Sequence, residues 1–120
     1  WTREIKGGPN YCTDGPYMYY LEEDSNDPKA TRPLLMLWSS FGDQGYGLTI
    51  ARSNSGEITG PWEHDSKPLY EKDGGHGMIF KTVEGQLYLA LHTPNEPLKE
   101  RPIFIPILEK EDDLVLADPS

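Results

Sequence analysis

The chain has 120 residues, about one ordinary domain, and it carries a net charge of −9 at pH 7. This acidity argues against a nucleic-acid partner and against an anionic membrane surface, because both attract clustered Lys and Arg. No apolar run approaches the roughly 20 residues needed to cross a bilayer. The single cysteine, Cys12, excludes an internal disulfide and is expected to be a small buried side chain.

The first half of the chain predicts four strands separated by turn signals. They comprise the aromatic "PYMYYL" (16–21), the apolar "LLMLWSS" (34–40), the alternating "GLTIARS" (47–53) and a short edge segment around Trp62. A nearly continuous apolar run of strand length is typical of a strand that is covered on both faces. Twelve glycines, eleven prolines and no helical periodicity favour an all-β protein.

The second half repeats the same order of elements. Its four predicted strands are "GMIFKT" (77–82), "LYLALH" (87–92), "IFIPIL" (103–108) and "LVLA" (114–117). A four-stranded unit that recurs at this length is typical of β-propeller blades, which run roughly 40–50 residues or more. The sequence therefore predicts two antiparallel blades, 1–66 and 67–120, of one propeller domain. A free-standing β-sandwich is the alternative.

A single blade cannot bury both of its faces, so the remaining blades of a ring are the expected partners. The two sheets are expected to pack face to face with seven apolar residues largely buried: Leu35, Leu37, Ile50, Ile79, Leu87, Leu89 and Ile105. Outer faces that lack a neighbouring blade would form exposed apolar patches. Such patches promote association, so we expect the chain alone to self-associate.

Two polar residues stand in front of the first strand of each unit. Asp14 precedes Gly15 and Pro16 in "CTDGPYMYY", and His76 lies among three glycines in "KDGGHGMIF". The first strand of a propeller blade lines the central channel, so Asp14 and His76 are predicted at equivalent places facing the axis. The alternatives are an Asx turn at Asp14 and a turn histidine that bonds loop carbonyls at His76.

Several motifs in this order resemble a known family. "TDGPYMYY", "MLWSSFGDQGYGLTIARSNSGEITGPW" and "GGHGMIF…GQLYLALHTPN" look like the last two blades of a family 43 glycoside hydrolase, over roughly residues 11–108. The resemblance implies a five-bladed propeller enzyme of the arabinanase, α-L-arabinofuranosidase or β-xylosidase type. It also implies an inverting mechanism with three acidic residues and a secreted or periplasmic parent protein.

The resemblance assigns roles to three residues. Asp14 matches the general acid, which is usually Glu in the family, and an Asp carboxyl lies roughly 1.5 Å further back. His76 matches the axial histidine, which contacts a central calcium ion through water, and Arg101 matches a substrate-binding arginine. The general base and the third carboxylate are expected on earlier blades.

Other features leave alternatives open. Trp38 is predicted either as blade-packing core or as a platform on which a sugar stacks, and His92 either as a structural histidine or as a substrate contact. The function is open in the same way. A non-catalytic propeller that binds carbohydrate or forms an interface, with Asp14 as the relic of an acid, is the alternative to the hydrolase. The sugar and its linkage are not specified by these motifs.

Overall fold

A computed structural model describes residues 14–21, 32–42, 45–110 and 113–117. Cys12 lies outside these ranges. The described strands of the first half are β1 (Asp14–Tyr20), β2 (Leu34–Gly42), β3 (Gly45–Ser53) and β4 (Trp62–His64). Those of the second half are β5 (Gly75–Lys81), β6 (Leu87–Thr93), β7 (Arg101–Lys110) and β8 (Asp113–Leu116). No helix long and apolar enough to span a membrane occurs in these ranges.

The strands form two four-stranded sheets, ordered β1-β2-β3-β4 and β5-β6-β7-β8. Every neighbouring pair is antiparallel, so each sheet is a simple meander. This is the architecture of propeller blades, and it confirms the predicted fold class. A sandwich of the Greek-key kind would exchange strands between its two sheets, and these sheets do not.

The main core lies between the two sheets, where β5 packs against β1, β2 and β3. Its buried members come from both sheets: Leu21, Leu35, Leu37, Leu48, Ile50, Ile79, Leu89, Leu91, Ile107 and Leu114. Five of the seven residues predicted as largely buried belong to it. Leu87 and Ile105 are only half-buried and pack against this core, so their predicted burial is wrong in degree.

The outer faces of the two sheets differ. On the first sheet Met36, Trp38 and Ala51 form a second buried cluster, with Met18 and Trp62 packed against it. The prediction of an exposed apolar patch is therefore wrong for this cluster, although Tyr20 on the same face is 52% exposed. On the second sheet the prediction is confirmed by four exposed residues: Met78 (53% exposed), Phe80 (41%), Phe104 (59%) and Leu108 (50%).

The segment between β4 and β5 continues along β3. The amide of Asp65 donates to the carbonyl of Ile50, and the amides of Leu69 and Tyr70 donate to the carbonyl of Leu48. The predicted boundary between residues 66 and 67 falls inside this hydrogen-bonded segment. The segment carries the chain from the outer edge of the first sheet to the start of β5.

Candidate functional site

The two strand starts share one irregular pairing pattern. Each has a single pair, then a break, then regular pairing: Asp14–Ser39 and Tyr17–Leu37 in the first sheet, Gly75–His92 and Met78–Ala90 in the second. Gly15 and His76 therefore occupy equivalent positions, and both have a φ of 55°. The predicted equivalence of Asp14 and His76 is wrong by one residue, because the register matches Asp14 with Gly75.

Asp14 and His76 nevertheless meet across the two sheets. His76 Nδ1 lies 3.6 Å from Asp14 Oδ2, within ion-pair distance and too far for a hydrogen bond. The Asp14 side chain is 50% exposed and the His76 side chain is 58% exposed, so the pair is open to solvent. A Cβ on Gly15 would lie 2.6 Å from His76 Cδ2, so the imidazole occupies the space that this glycine leaves.

Two buried residues hold this pair from the first sheet. The backbone amide of His76 donates a 2.7 Å hydrogen bond to Ser39 Oγ, and the hydroxyl of Tyr46 donates a 2.9 Å hydrogen bond to Asp14 Oδ2. Ser39 is fully buried and Tyr46 is 3% exposed. Neither role was predicted from the sequence. The available signals were a small polar residue ending a buried strand and an aromatic residue between two glycines.

His92 lies beside this cluster. Its ring stacks on Tyr46 with centroids 5.7 Å apart, and its Nδ1 is buried without a hydrogen-bond partner among the described residues. Gly75 allows this packing, because a Cβ there would lie 2.6 Å from both Tyr46 Cε2 and Ser39 Oγ. A direct contact of His92 with substrate stays a prediction.

The glycine-rich turn before His76 is held by the segment that follows β6. Thr93 Oγ1 lies 3.0 Å from the carbonyl oxygens of both Lys72 and Asp73, so its single proton is shared between them. The amide of Asn95 donates to Asp73 Oδ2 at 3.2 Å. Asp73 itself has a φ of 55°, in the left-handed region. These bonds fix the path of the turn, and with it the direction from which His76 enters the site.

The structure does not bring Trp38 or Arg101 into contact with this pair. Trp38 is 3% exposed and stacks on His64 with ring centroids 5.3 Å apart, which is the packing role. Arg101 is exposed at the start of β7, and its Nη1 donates to the carbonyl of Glu100 at 2.7 Å. Substrate binding by Trp38 and Arg101 therefore stays a prediction.

The described residues do not offer a complete metal-binding set. No group of three or more His, Cys, Asp or Glu side chains that could hold an ion occurs in the described ranges. His76 and Asp14 supply two such side chains, whereas calcium takes 6–8 oxygen ligands. The calcium contact of His76 through water, implied by the family resemblance, stays a prediction.

A separate charged cluster joins the two sheets away from this site. Arg52 on β3 contacts Asp65 through Nε at 3.1 Å and Asp113 on β8 through Nη2 at 2.8 Å. The hydrogen bond to Asp65 is the main cause that raises the pKa of Arg52, and the bond to Asp113 adds to it against the opposing effect of burial. The cluster lines an open cavity of about 560 Å³ that Lys67 and Lys110 also line.

A solved enzyme structure resembles the chain. It is the endo-arabinase from Bacteroides thetaiotaomicron VPI-5482, with 39% sequence identity and a TM-score of 0.71. The match covers 82% of this chain and 32% of that one, so this chain spans about a third of the length of the endo-arabinase. No family model and no curated protein matches the sequence. The likeness is consistent with the arabinanase-type fold that the motifs imply.

Proposed function

We propose that this chain forms two blades of a glycoside hydrolase that cleaves arabinosyl linkages in plant-type polysaccharides or oligosaccharides. Asp14 is its general acid. One observation carries the proposal: Asp14 of one sheet meets His76 of the next at an exposed position, 3.6 Å apart, in a chain similar to an endo-arabinase. The remaining blades of the ring supply the other catalytic carboxylates.

The chemistry is inversion at the anomeric carbon. The protonated carboxyl of Asp14 donates its proton to the departing glycosidic oxygen, while a carboxylate on another blade takes a proton from the attacking water. In inverting enzymes these two carboxyl groups lie about 6.5–9.5 Å apart, which leaves room for the water. His76 organises the floor of the channel, because its amide is tied to Ser39 and its ring lies over Gly15.

Because the side chain of Asp14 is shorter than that of glutamate, the residues around it must place it differently. An aspartate carboxyl lies roughly 1.5 Å closer to the backbone than a glutamate carboxyl, so the sugar or the strand start must sit correspondingly closer. Gly15 gives this strand start a φ of 55°. The irregular pairing directly after Asp14 re-aims the residue, as bulges beside active sites do.

The test is the leaving-group dependence of hydrolysis by the full-length protein. Asp14→Asn is expected to slow aryl α-L-arabinofuranosides with poor leaving groups by about 100-fold or more, because general acid catalysis contributes about 10²–10⁴. A 2,4-dinitrophenyl substrate needs no protonation and should be slowed far less. Glu84→Gln, at an exposed turn, is the matched control. Equal slowing of good and poor leaving groups would show that Asp14 is not the acid.

The 120-residue chain alone is expected to be inactive. A lone acid cannot activate water on the opposite face of the sugar. Incubation of the purified chain with the same arylglycosides checks this, with xylosides and galactosides included to test the proposed sugar. Measurable turnover by the chain alone would contradict the assignment of the base to another blade.

A non-catalytic propeller that binds carbohydrate is the second candidate. The aspartate in place of the usual glutamate favours it, because a set-back carboxyl suits recognition of a sugar hydroxyl. Titration calorimetry with arabino-oligosaccharides separates the two candidates. Binding without hydrolysis by the full-length protein supports the binding module, and leaving-group-dependent turnover supports the enzyme.

A further inference from the structure

We infer that Tyr46 is the residue that positions the general acid and that it determines which oxygen of Asp14 delivers the proton. This inference rests on the proposed function. Tyr46 donates its hydroxyl to Asp14 Oδ2 at 2.9 Å, and the same oxygen faces His76 Nδ1 at 3.6 Å. Asp14 Oδ1 makes no hydrogen bond within the described part of the chain. The two oxygens of this carboxyl therefore have different surroundings.

The difference decides where the proton lies. A protonated carboxyl has one O–H donor, and its other oxygen keeps acceptor capacity. Because Oδ2 accepts the hydrogen bond from Tyr46, the proton of neutral Asp14 sits on Oδ1. Oδ1 is then the atom that faces the departing glycosidic oxygen. Tyr46 orients the carboxyl without touching the substrate, so it is a positioning residue.

Tyr46 is built to hold a fixed direction. It is 3% exposed, on the long strand β3, whereas the Asp14 side chain is 50% exposed at a strand start. Phe41 packs on one part of its ring with centroids 5.2 Å apart, and His92 stacks on it at 5.7 Å. The backbone of Gly75 closes the space beside Cε2. The buried ring therefore has no room to turn, and it directs its hydroxyl at the exposed carboxyl of Asp14.

The positioning role of Tyr46 explains features of the sequence that the role of Asp14 as general acid does not explain by itself. Gly75 leaves the space that the Tyr46 ring fills, and His92 supplies a flat ring for it to stack on. An aspartate that is set back from the substrate gains most from being oriented, because few conformations of the shorter side chain reach the leaving group. The hydrogen bond selects among those conformations.

The experiment uses the full-length protein and arylglycosides of graded leaving-group ability. Tyr46→Phe is expected to lower kcat/KM about 10- to 100-fold for poor leaving groups. Asp14 becomes a carboxylate as it gives up its proton, and this range corresponds to the loss of a hydrogen bond to a charged group. For the 2,4-dinitrophenyl substrate we expect less than about a 3-fold loss. In the Asp14→Asn background the same change should have almost no effect, because residues that act as a unit are non-additive.

The matched control is Tyr17→Phe, which removes another hydroxyl that crosses between the sheets. Tyr17 donates to the carbonyl of Ile79 at 2.8 Å and does not contact Asp14. This variant should lose stability without changing the leaving-group dependence. If Tyr46→Phe does not fold, p-fluorophenylalanine at position 46 restores the volume without the donor and should show the same selective loss.

The outcomes separate this inference from the proposed function. If Asp14→Asn slows poor leaving groups selectively and Tyr46→Phe slows all substrates equally, Tyr46 is structural and the inference is wrong. Full additivity of the two changes also overturns it. If Asp14→Asn itself shows no selectivity, the proposed function fails and the inference fails with it.

Discussion

The two sheets have the same strand order and differ in what covers them. Leu37 of β2 and Ala90 of β6 occupy equivalent positions in the two sheets. Ile50 pairs with Leu37 and Phe104 pairs with Ala90, so Ile50 of β3 and Phe104 of β7 are equivalent as well. Ile50 is 2% exposed beneath the second sheet, whereas Phe104 is 59% exposed. The same position of the repeat is thus buried in the core in the first sheet and exposed on the surface in the second.

This difference shows that the blade is not a complete unit of stability. On the open face Phe80 stacks on Tyr88 with centroids 5.6 Å apart and meets Phe104 edge-on at 5.9 Å. Aromatic side chains bury large areas when they are covered, so this face is suited to a further apolar sheet. The first sheet shows what the face becomes when such a sheet is present.

Alanine substitutions at the matched pair test this comparison and have the largest expected effect. In the 120-residue chain, Ile50→Ala should lower the free energy of unfolding by about 2–5 kcal/mol, the range for truncation of a buried isoleucine. Phe104→Ala should lower it by less than about 1 kcal/mol, because the ring is already exposed. Denaturant unfolding followed by circular dichroism measures both.

The same pair distinguishes the chain from the full-length protein. There Phe104→Ala should become costly, by about 3–5 kcal/mol, if a neighbouring blade covers the ring. Equal costs of Ile50→Ala and Phe104→Ala in the 120-residue chain would break the comparison. An unchanged, small cost of Phe104→Ala in the full-length protein would show that the face stays open.

The ion pairs of Arg52 are a second difference between the sheets. Arg52 pairs with Leu35 in the sheet and contacts Asp65 and Asp113, so it links β3 to β8. The matched residue of the second sheet is Pro106, which pairs with Tyr88 and carries no charge. Arg52→Met should cost about 1–3 kcal/mol, because it leaves the carboxylates of Asp65, 27% exposed, and Asp113, 48% exposed, without their cation.

An exposed ion pair provides the control for Arg52. Lys99 contacts Glu96 at 2.9 Å, with the two side chains 66% and 54% exposed. Lys99→Met should change the unfolding free energy by less than about 1 kcal/mol, since surface pairs contribute little. A loss at Arg52 no larger than the loss at Lys99 would contradict the role of Arg52 as a link between the sheets.

The strand starts give a smaller expected change in stability than Ile50. Gly15 and His76 hold the same left-handed conformation, and a side chain other than glycine costs about 1–2 kcal/mol there. Gly15→Ala should cost about 2 kcal/mol, because its Cβ also meets the imidazole of His76. His76→Gly should do the reverse, raising the unfolding free energy by up to about 1 kcal/mol while it lowers activity.

The double variant separates the two causes at Gly15. Combined with His76→Gly, Gly15→Ala should cost only the strain of its backbone, since the imidazole is gone. Unfolding of the four proteins in denaturant gives the coupling energy directly. A cost of Gly15→Ala that does not depend on His76 would mean that the imidazole moves aside freely.

Much of the fold could be predicted from the sequence because it depends on local patterns. The apolar runs predicted over 34–40 and 87–92 are observed as Leu34–Gly42 and Leu87–Thr93. The degree of burial could not be predicted for Leu87 or Ile105. Alternation specifies the face on which a side chain lies, and not how far the neighbouring sheet extends over it.

The candidate site was predicted in part for the same reason. Asp14 and His76 stand in distinctive glycine contexts, but counting between motifs gave 62 positions where the register gives 61. The same break occurs in both sheets, so the offset of 61 holds on both sides of it and depends on cross-strand pairs that the sequence does not show. Tyr46 and Ser39 were missed because their partners lie on other strands, 32 and 37 positions away.

The shared core between the sheets also affects synthesis of the protein on the ribosome. The first sheet contributes Leu35, Leu37 and Ile50 to that core, but Ile79 and Leu89 follow later in the chain. At about 5–20 residues per second, the 62 residues from Tyr17 to its partner Ile79 take about 3–12 s to translate. Until Ile79 has been made, the strands of the first sheet that have already emerged present their apolar face to solvent or to a chaperone.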